Sequence, residues 1–267
     1  KEEMMRRDFT NDVVIHKIKN NIHYLQFRKL LEYPELEHCY TMRLNGIDFR
    51  IYENDSILSA TYDKICNSTD FVREAIVKPH QTHTDIVVKV ENSKQNFSEV
   101  DGLITDKRNI TLCTTSADCT SLLFYDPVKN VIADVHSGWR GTQKKIAKIA
   151  TQKMNKECNC NPEDLICAIC PHIRVCHFEV SEDVKDLFYD TFSYMKDIDS
   201  MIKKGSSNGK YFVDTTKINI QMLIDAGVKP ENILDSGICT VCNKDYFHSY
   251  RADKELSGRN GAMIMLK

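Results

Sequence analysis

The sequence predicts an α+β fold, with mixed β-sheets layered with α-helices in a single domain over residues 1–267. Three observations predict it. Short apolar runs rich in β-branched residues alternate with segments of helical periodicity. The clearest two strands are joined by a tight reversal, so hairpins mix with helical excursions and a doubly wound parallel sheet is disfavoured. At 267 residues, 42% hydrophobic and 28% charged, the chain can bury a sizeable core, and nothing demands a second domain.

In chain order, strands are expected over residues 13–18, 22–27, 75–78 and 86–90, where Val, Ile and aromatic residues cluster. Two more, 119–125 and 131–136, flank Asp126-Pro127-Val128-Lys129-Asn130, which carries the residues a tight reversal needs. With Tyr125 facing Val131, Cys119 falls within one residue of His136 across the ladder. A helix is expected over 143–155, because Ile146, Ile149, Ala150 and Met154 recur at helical spacing. A strand at 165–169 precedes a helix at 181–192 with Ser181 as N-cap. The run KKGSSNGK, 203–210, reads as the clearest mobile loop. A strand at 211–213, a helix at 215–226 ending at Gly227, and a strand at 262–266 complete the order.

The Cys119/His136 pair carries chemistry. A third ligand could come from the strand-like segment with His80 and His83, and His, Cys, His is a set of the type catalytic zinc takes, leaving a fourth position open. Taken singly, each of these residues is more often structural, a hydrogen-bonded histidine or a buried thiol. After His136 the chain reads Ser-Gly-Trp-Arg-Gly-Thr and enters a helix. Such a loop aims backbone N–H groups and a positive dipole end outward, where phosphate would be at home, and Arg140 adds a planar charged fork. The plainer reading keeps the two glycines as turn formers and pairs Arg140 with a carboxylate.

Composition excludes several classes. A net charge of −2 with interspersed Lys and Arg gives no basic field, so nucleic acid is not an expected partner. No apolar run approaches the ~20 residues of a membrane span, and KEEMMRRDF lacks a signal-peptide core, so a soluble cytoplasmic protein is expected. Eleven cysteines, an odd number without a signal, read as reduced thiols. Cys167-x-x-Cys170 and Cys239-x-x-Cys242 invite a zinc-ribbon reading, but roughly seventy residues separate them, far beyond the ~15–20 between ribbon knuckles. That site is not expected unless the fold brings the pairs together.

Several motifs together resemble the laccase-domain family: His83 within HQTHTDIV, DGLITD at 101–106, TSADC ending at Cys119, and VHSGWRGT from Val135. CPHIRVCHFEV at 170–180, the Cys-Thr at Cys239 and FHSYRADKELSGRNG continue the likeness, which covers the chain from about His38 onward. Members of this family were first described as multicopper polyphenol oxidases and later as purine nucleoside phosphorylases with adenosine deaminase activity. The resemblance implies a zinc ion on His83, Cys119 and His136 beside a pocket for a purine nucleoside such as adenosine, inosine or S-methyl-5'-thioadenosine. It implies phosphate as co-substrate, with Arg140 and Arg251 to hold phosphate or ribose. Asp118 and Glu179 become candidates for moving protons or holding substrate.

Departures from the family pattern bear on pocket shape and substrate preference. Cys170 stands where a glycine is usual, Cys176-His177-Phe178 replaces Cys-Cys-Tyr, and Ala252 replaces the second arginine of Ser-Tyr-Arg-Arg-Asp. The family's SLNLG-like element is not recognisable around residues 59–66. Other readings stay open. Cys119 activated by His136 would suit a cysteine hydrolase editing cell-wall peptide precursors. A copper oxidase is weaker, because one such set cannot supply several copper centres. A zinc-stapled binding module is the non-enzymatic alternative, and a homodimer is left open.

Overall fold

The structure, a computed structural model, describes residues 7–51 and 55–267. In chain order the elements are β1 (Val14–Lys19), β2 (Ile22–Phe27), β3 (Leu36–Thr41), α1 (Ser56–Cys66), β4 (Ile76–Val77), β5 (Val87–Lys89), β6 (Gly102–Thr105) and β7 (Thr111–Ser116). Then follow β8 (Thr120–Asp126), β9 (Val131–Ser137), α2 (Trp139–Gln143), α3 (Ile146–Cys158), β10 (Ile166–Ile169), β11 (Glu179–Ser181) and α4 (Glu182–Phe192). The last are α5 (Ile198–Met201), β12 (Ile202–Lys204), β13 (Lys210–Val213), α6 (Thr215–Asp225), β14 (Ile233–Asp235), α7 (Tyr250–Asp253) and β15 (Asn260–Leu266).

Two six-stranded sheets form, ordered β1-β2-β3-β15-β7-β4 and β14-β10-β8-β9-β6-β5, with a three-stranded sheet β11-β13-β12 beside them. Both large sheets are mixed: β4 with β7, β5 with β6, and β10 with β14 run parallel, and the other pairs antiparallel. The period-2 alternation of strand side chains sorts the core into layers. Leu123 and Tyr125 of β8 meet Ala262, Ile264 and Leu266 of β15 between the two sheets. Leu122 and Phe124 face the other way, onto Ile146 and Met154 of α3, Phe188 of α4 and Met222 of α6. Met263 and Met265 pack with Tyr62 and Ile65 of α1. The order of layers is therefore α1, first sheet, second sheet, then α3, α4 and α6. Thr114 on β7 donates through its backbone N–H (2.8 Å) and hydroxyl (2.6 Å) to Asp134 on β9, a polar tie between the sheets. Among the described residues no helix is long and apolar enough to cross a membrane.

The α+β class and the mixed sheets agree with the sequence, and the differences have local causes. The hairpin ladder is shifted by one residue, with Asp126 opposite Val131 and Ser121 opposite His136. Asp126 looked like loop, yet it closes the ladder while its carboxylate accepts from the N–H groups of Val128 and Lys129. The helix expected over 143–155 is two helices, because Lys145 adopts a left-handed conformation (φ 66°) that interrupts the first and lets α3 leave in a new direction. Residues 203–210 form the β12–β13 hairpin, whose turn is shaped by Gly209 at φ 73°. Ser181 caps α4 by position but makes no side-chain cap bond.

β3 escaped the apolar pattern because it buries Glu37 and His38. His38 Nε2 accepts from the Phe27 N–H at 2.8 Å, which requires a neutral ring, and burial pushes its pKa down to about 3 from the ordinary 6.5. Between those values the unfolded chain binds the extra proton, so this stability is complete above pH ~6.5 and is lost as pH falls towards ~3. The urea midpoint is therefore expected to fall more between pH 7 and 5 in the wild-type chain than in His38→Gln. Equal falls would place the acid sensitivity elsewhere.

Candidate active site

One end of the second sheet opens into a cavity of about 610 Å³, walled by the β7–β8 turn, the end of β9, α2, β11 and the segment around α7. His83 reaches it from the loop between β4 and β5 in a left-handed conformation (φ 63°), rare for a residue with a Cβ. Asp101 holds that loop. Its carboxylate accepts from the N–H groups of Thr82 (3.3 Å), His83 (3.1 Å) and Thr84 (2.7 Å) and from the Thr84 hydroxyl. The same carboxylate accepts from His136 Nδ1 at 2.8 Å, which fixes the proton there and leaves Nε2 as the free nitrogen. Burial would raise the Asp101 pKa, but the bonds from His136 and Thr84 outweigh it and bring it down to about 2.

Cys119, just before β8, lies with its Sγ 3.8 Å from His83 Nε2. The His83 and His136 rings meet edge to face at 5.0 Å. One ligand atom each from His83, Cys119 and His136 lies within 4.8 Å of the others, and no further His, Cys, Asp or Glu among the described residues joins the group. Burial would raise the Cys119 thiol, yet the adjacent His136 and His83 lower it; burial would lower His136, yet the developing thiolate and Asp101 together raise it. Gly138 packs against all three: a Cβ there would lie 2.6 Å from His83 Cδ2, 3.2 Å from Cys119 Sγ and 3.3 Å from His136 Cε1. Two imidazoles and a thiol converging at this spacing could hold a metal ion.

The other sequence candidates fare differently. Asp118 lines the cavity at φ 85°, but its carboxylate accepts from the Thr240 hydroxyl and the Arg251 N–H, both at 2.6 Å, so it anchors two loops. Arg251 is on the wall, and its guanidinium donates to the carbonyls of His177 (2.6 Å) and Glu179 (3.3 Å). Glu179 does not line the cavity: Phe178 and Val180 do, so strand alternation turns Glu179 away, and its carboxylate accepts from the Ser206 N–H. Arg140 is also outside. It is exposed on α2, its guanidinium 4.2 Å from the Trp139 ring centroid, while Trp139 itself faces the cavity. His80 is exposed and outside the metal group.

Residues missed in the sequence include Asp101, visible there only as the start of DGLITD, and the cations Lys254 and Arg259 on the cavity wall. Both cations lie in the KELSGRNG stretch, whose charge alone does not distinguish them from solvated surface.

The family model described as multi-copper polyphenol oxidoreductase laccase matches residues 43–267. The chain is similar to a purine nucleoside phosphorylase of Clostridium acetobutylicum, 33% identical over 228 residues, covering 84% of this chain and 89% of that one. A purine nucleoside phosphorylase of Bacteroides thetaiotaomicron is 29% identical over 261 residues, covering 91% and 96%. Among solved structures, YlmD from Geobacillus stearothermophilus superposes with a TM-score of 0.87 at 24% identity, covering 95% of this chain and 99% of that one.

Proposed function

The chain belongs to the multi-copper polyphenol oxidoreductase laccase family, and from that premise we propose that it is a zinc-dependent purine nucleoside phosphorylase acting on adenosine or inosine, with accompanying adenosine deamination. The observation that carries the reading is one cavity lined both by the His83/Cys119/His136 group and by Arg251, Lys254 and Arg259. Ile173, Phe178 and Val180 line the same cavity with apolar surface, suited to a flat purine. The names of the relatives support the reaction class.

In phosphorolysis, phosphate attacks the anomeric carbon, the C–N bond breaks, and the purine leaves with the bonding pair. The protein must fix the anion beside a sugar that becomes cationic and stabilise the departing base. Arg251 suits the first task. Two of its five donors are already held by carbonyls, so little side-chain entropy is lost when the others grip an anion. Asp118 holds Arg251 by its backbone N–H and acts as a positioning residue. A zinc ion on His83, Cys119 and His136 would supply Lewis-acid chemistry, including activation of water for deamination. Asp101 keeps His136 in the tautomer that such a ligand needs.

Zinc-loaded chain incubated with adenosine and phosphate is expected to yield adenine and ribose 1-phosphate, and to yield inosine when phosphate is omitted. Arg251→Ala should raise the phosphate KM by about 10-fold or more with a smaller effect on nucleoside binding, since a charge-assisted bond contributes ~1.5–3 kcal/mol. Turnover of neither adenosine nor inosine at any phosphate concentration would overturn the reading. The lowered Cys119 thiol beside His136 favours one second reading, a cysteine hydrolase. In that case alkylation blocks activity and chelators leave it intact, the reverse of the metal reading.

A further inference from the structure

A second convergence of soft ligands lies outside the cavity. Cys176 and His177, in the segment between β10 and β11, meet Cys239 and Cys242, in the segment between β14 and α7. His177 Nδ1 is 3.2 Å from Cys176 Sγ, 3.5 Å from Cys242 Sγ and 3.8 Å from Cys239 Sγ, and the Cys176 and Cys242 sulfurs are 3.7 Å apart. One nitrogen cannot hydrogen-bond usefully to three thiols, but four atoms so spaced surround one point. Tetrahedral zinc with bonds of about 2.3 Å to sulfur and 2.0 Å to nitrogen holds its ligand atoms roughly 3.5–3.8 Å apart. Three of these separations, 3.5, 3.7 and 3.8 Å, fall in that range, and the 3.2 Å between neighbouring Cys176 and His177 is shorter. Cys239-x-x-Cys242 also has the two-residue spacing of a zinc knuckle.

We infer that Cys176, His177, Cys239 and Cys242 form a second metal site, a closed Cys3His structural zinc site independent of the His83/Cys119/His136 group. Cys167 and Cys170, the pair a zinc ribbon would join to Cys239 and Cys242, are fully buried in the core, whereas Cys176 and Cys242 are exposed and open to metal entry. The site joins two segments that are also tied by backbone bonds, His172 N–H to Ile238 O (3.3 Å) and Thr240 N–H to His172 O (3.1 Å), with the Arg174–Asp235 ion pair beside them. Those segments carry the His177 carbonyl that receives Arg251 and the Thr240 hydroxyl that binds Asp118. Zinc here would staple the back of the cavity without entering it.

The test is metal stoichiometry on the full chain purified under reductant. Wild type should carry about two zinc ions, and both Cys119→Ala and the Cys176→Ser/Cys242→Ser double variant about one each. Cobalt added to metal-free Cys119→Ala should give the intense thiolate charge-transfer absorption of a three-thiolate site, a readout that stands even where the double variant folds poorly. Cys176 and Cys242 should resist alkylation until a chelator is added. One zinc in wild type and none in Cys119→Ala would overturn the inference. So would free alkylation of Cys176 and Cys242 in the metal-loaded chain, or a double variant that folds and retains both ions.

Discussion

Cys119→Ala is expected to lower nucleoside turnover by roughly 10³-fold or more and to weaken metal binding at its site by at least ~10-fold, with the fold intact. In the proposed site Cys119 would be the one anionic ligand of the three, and His136 and His83 hold its thiol towards the thiolate form against the effect of burial. Without it two imidazoles remain, too few to bind zinc tightly or to bias its charge. The side chain sits half-buried on the cavity wall, so its removal opens space to the cavity instead of creating a sealed void, and the unfolding free energy from urea titration should shift by no more than ~1 kcal/mol. Paired measurements of metal affinity and turnover decide the point. Full affinity in the variant would remove Cys119 from the ligand set, and full turnover would remove it from the reaction.

Gly138→Ala should be nearly as damaging, although it changes no polar atom. At φ −62° and ψ 169° the Gly138 backbone is open to any residue, so alanine brings no backbone strain. The damage is steric. The new methyl would sit 2.6 Å from His83 Cδ2, closer than real contacts allow, and 3.2 Å from Cys119 Sγ. His83 is the part able to give, and giving moves it from its partners, so metal affinity should drop ~10–100-fold with a proportionate loss of turnover. Competition against a calibrated chelator reads the affinity, and thermal unfolding of the metal-free chain should shift little. Unchanged affinity would show that the three side chains do not close on a common ion.

Much of this arrangement is legible in the sequence, in places for a different reason than the one that holds. The hairpin places His136 at the end of β9, yet Ser121 is its ladder partner, and Cys119 arrives from the β7–β8 turn. Asp126 misled the register because one residue serves both strand and turn. Glu179 and Arg140 show a second limit. Charge and motif position bring a residue near a site, but strand parity and helix phase decide which way it faces, and a one-residue difference reverses the answer. β7, TLCTTS, is a Thr-rich strand whose polar atoms find partners across the core, so hydrophobic pattern could not find it. His177 showed in the sequence as a departure at the pocket; only the fold places it among three thiols from segments more than sixty residues apart.

The place of β15 sets an order on the life of the chain. Residues 260–266 lie between β3 and β7, paired to both through Met263 opposite Cys39 and Cys113. A ribosome delivers β3 and β7 long before it delivers the strand that joins them. Until then both present unpaired edges, the kind that recruit other chains, and the sheet that backs the cavity cannot be complete. A nascent chain halted after residue 136 but before residue 260 therefore holds His83, Cys119 and His136 without the completed sheet behind them.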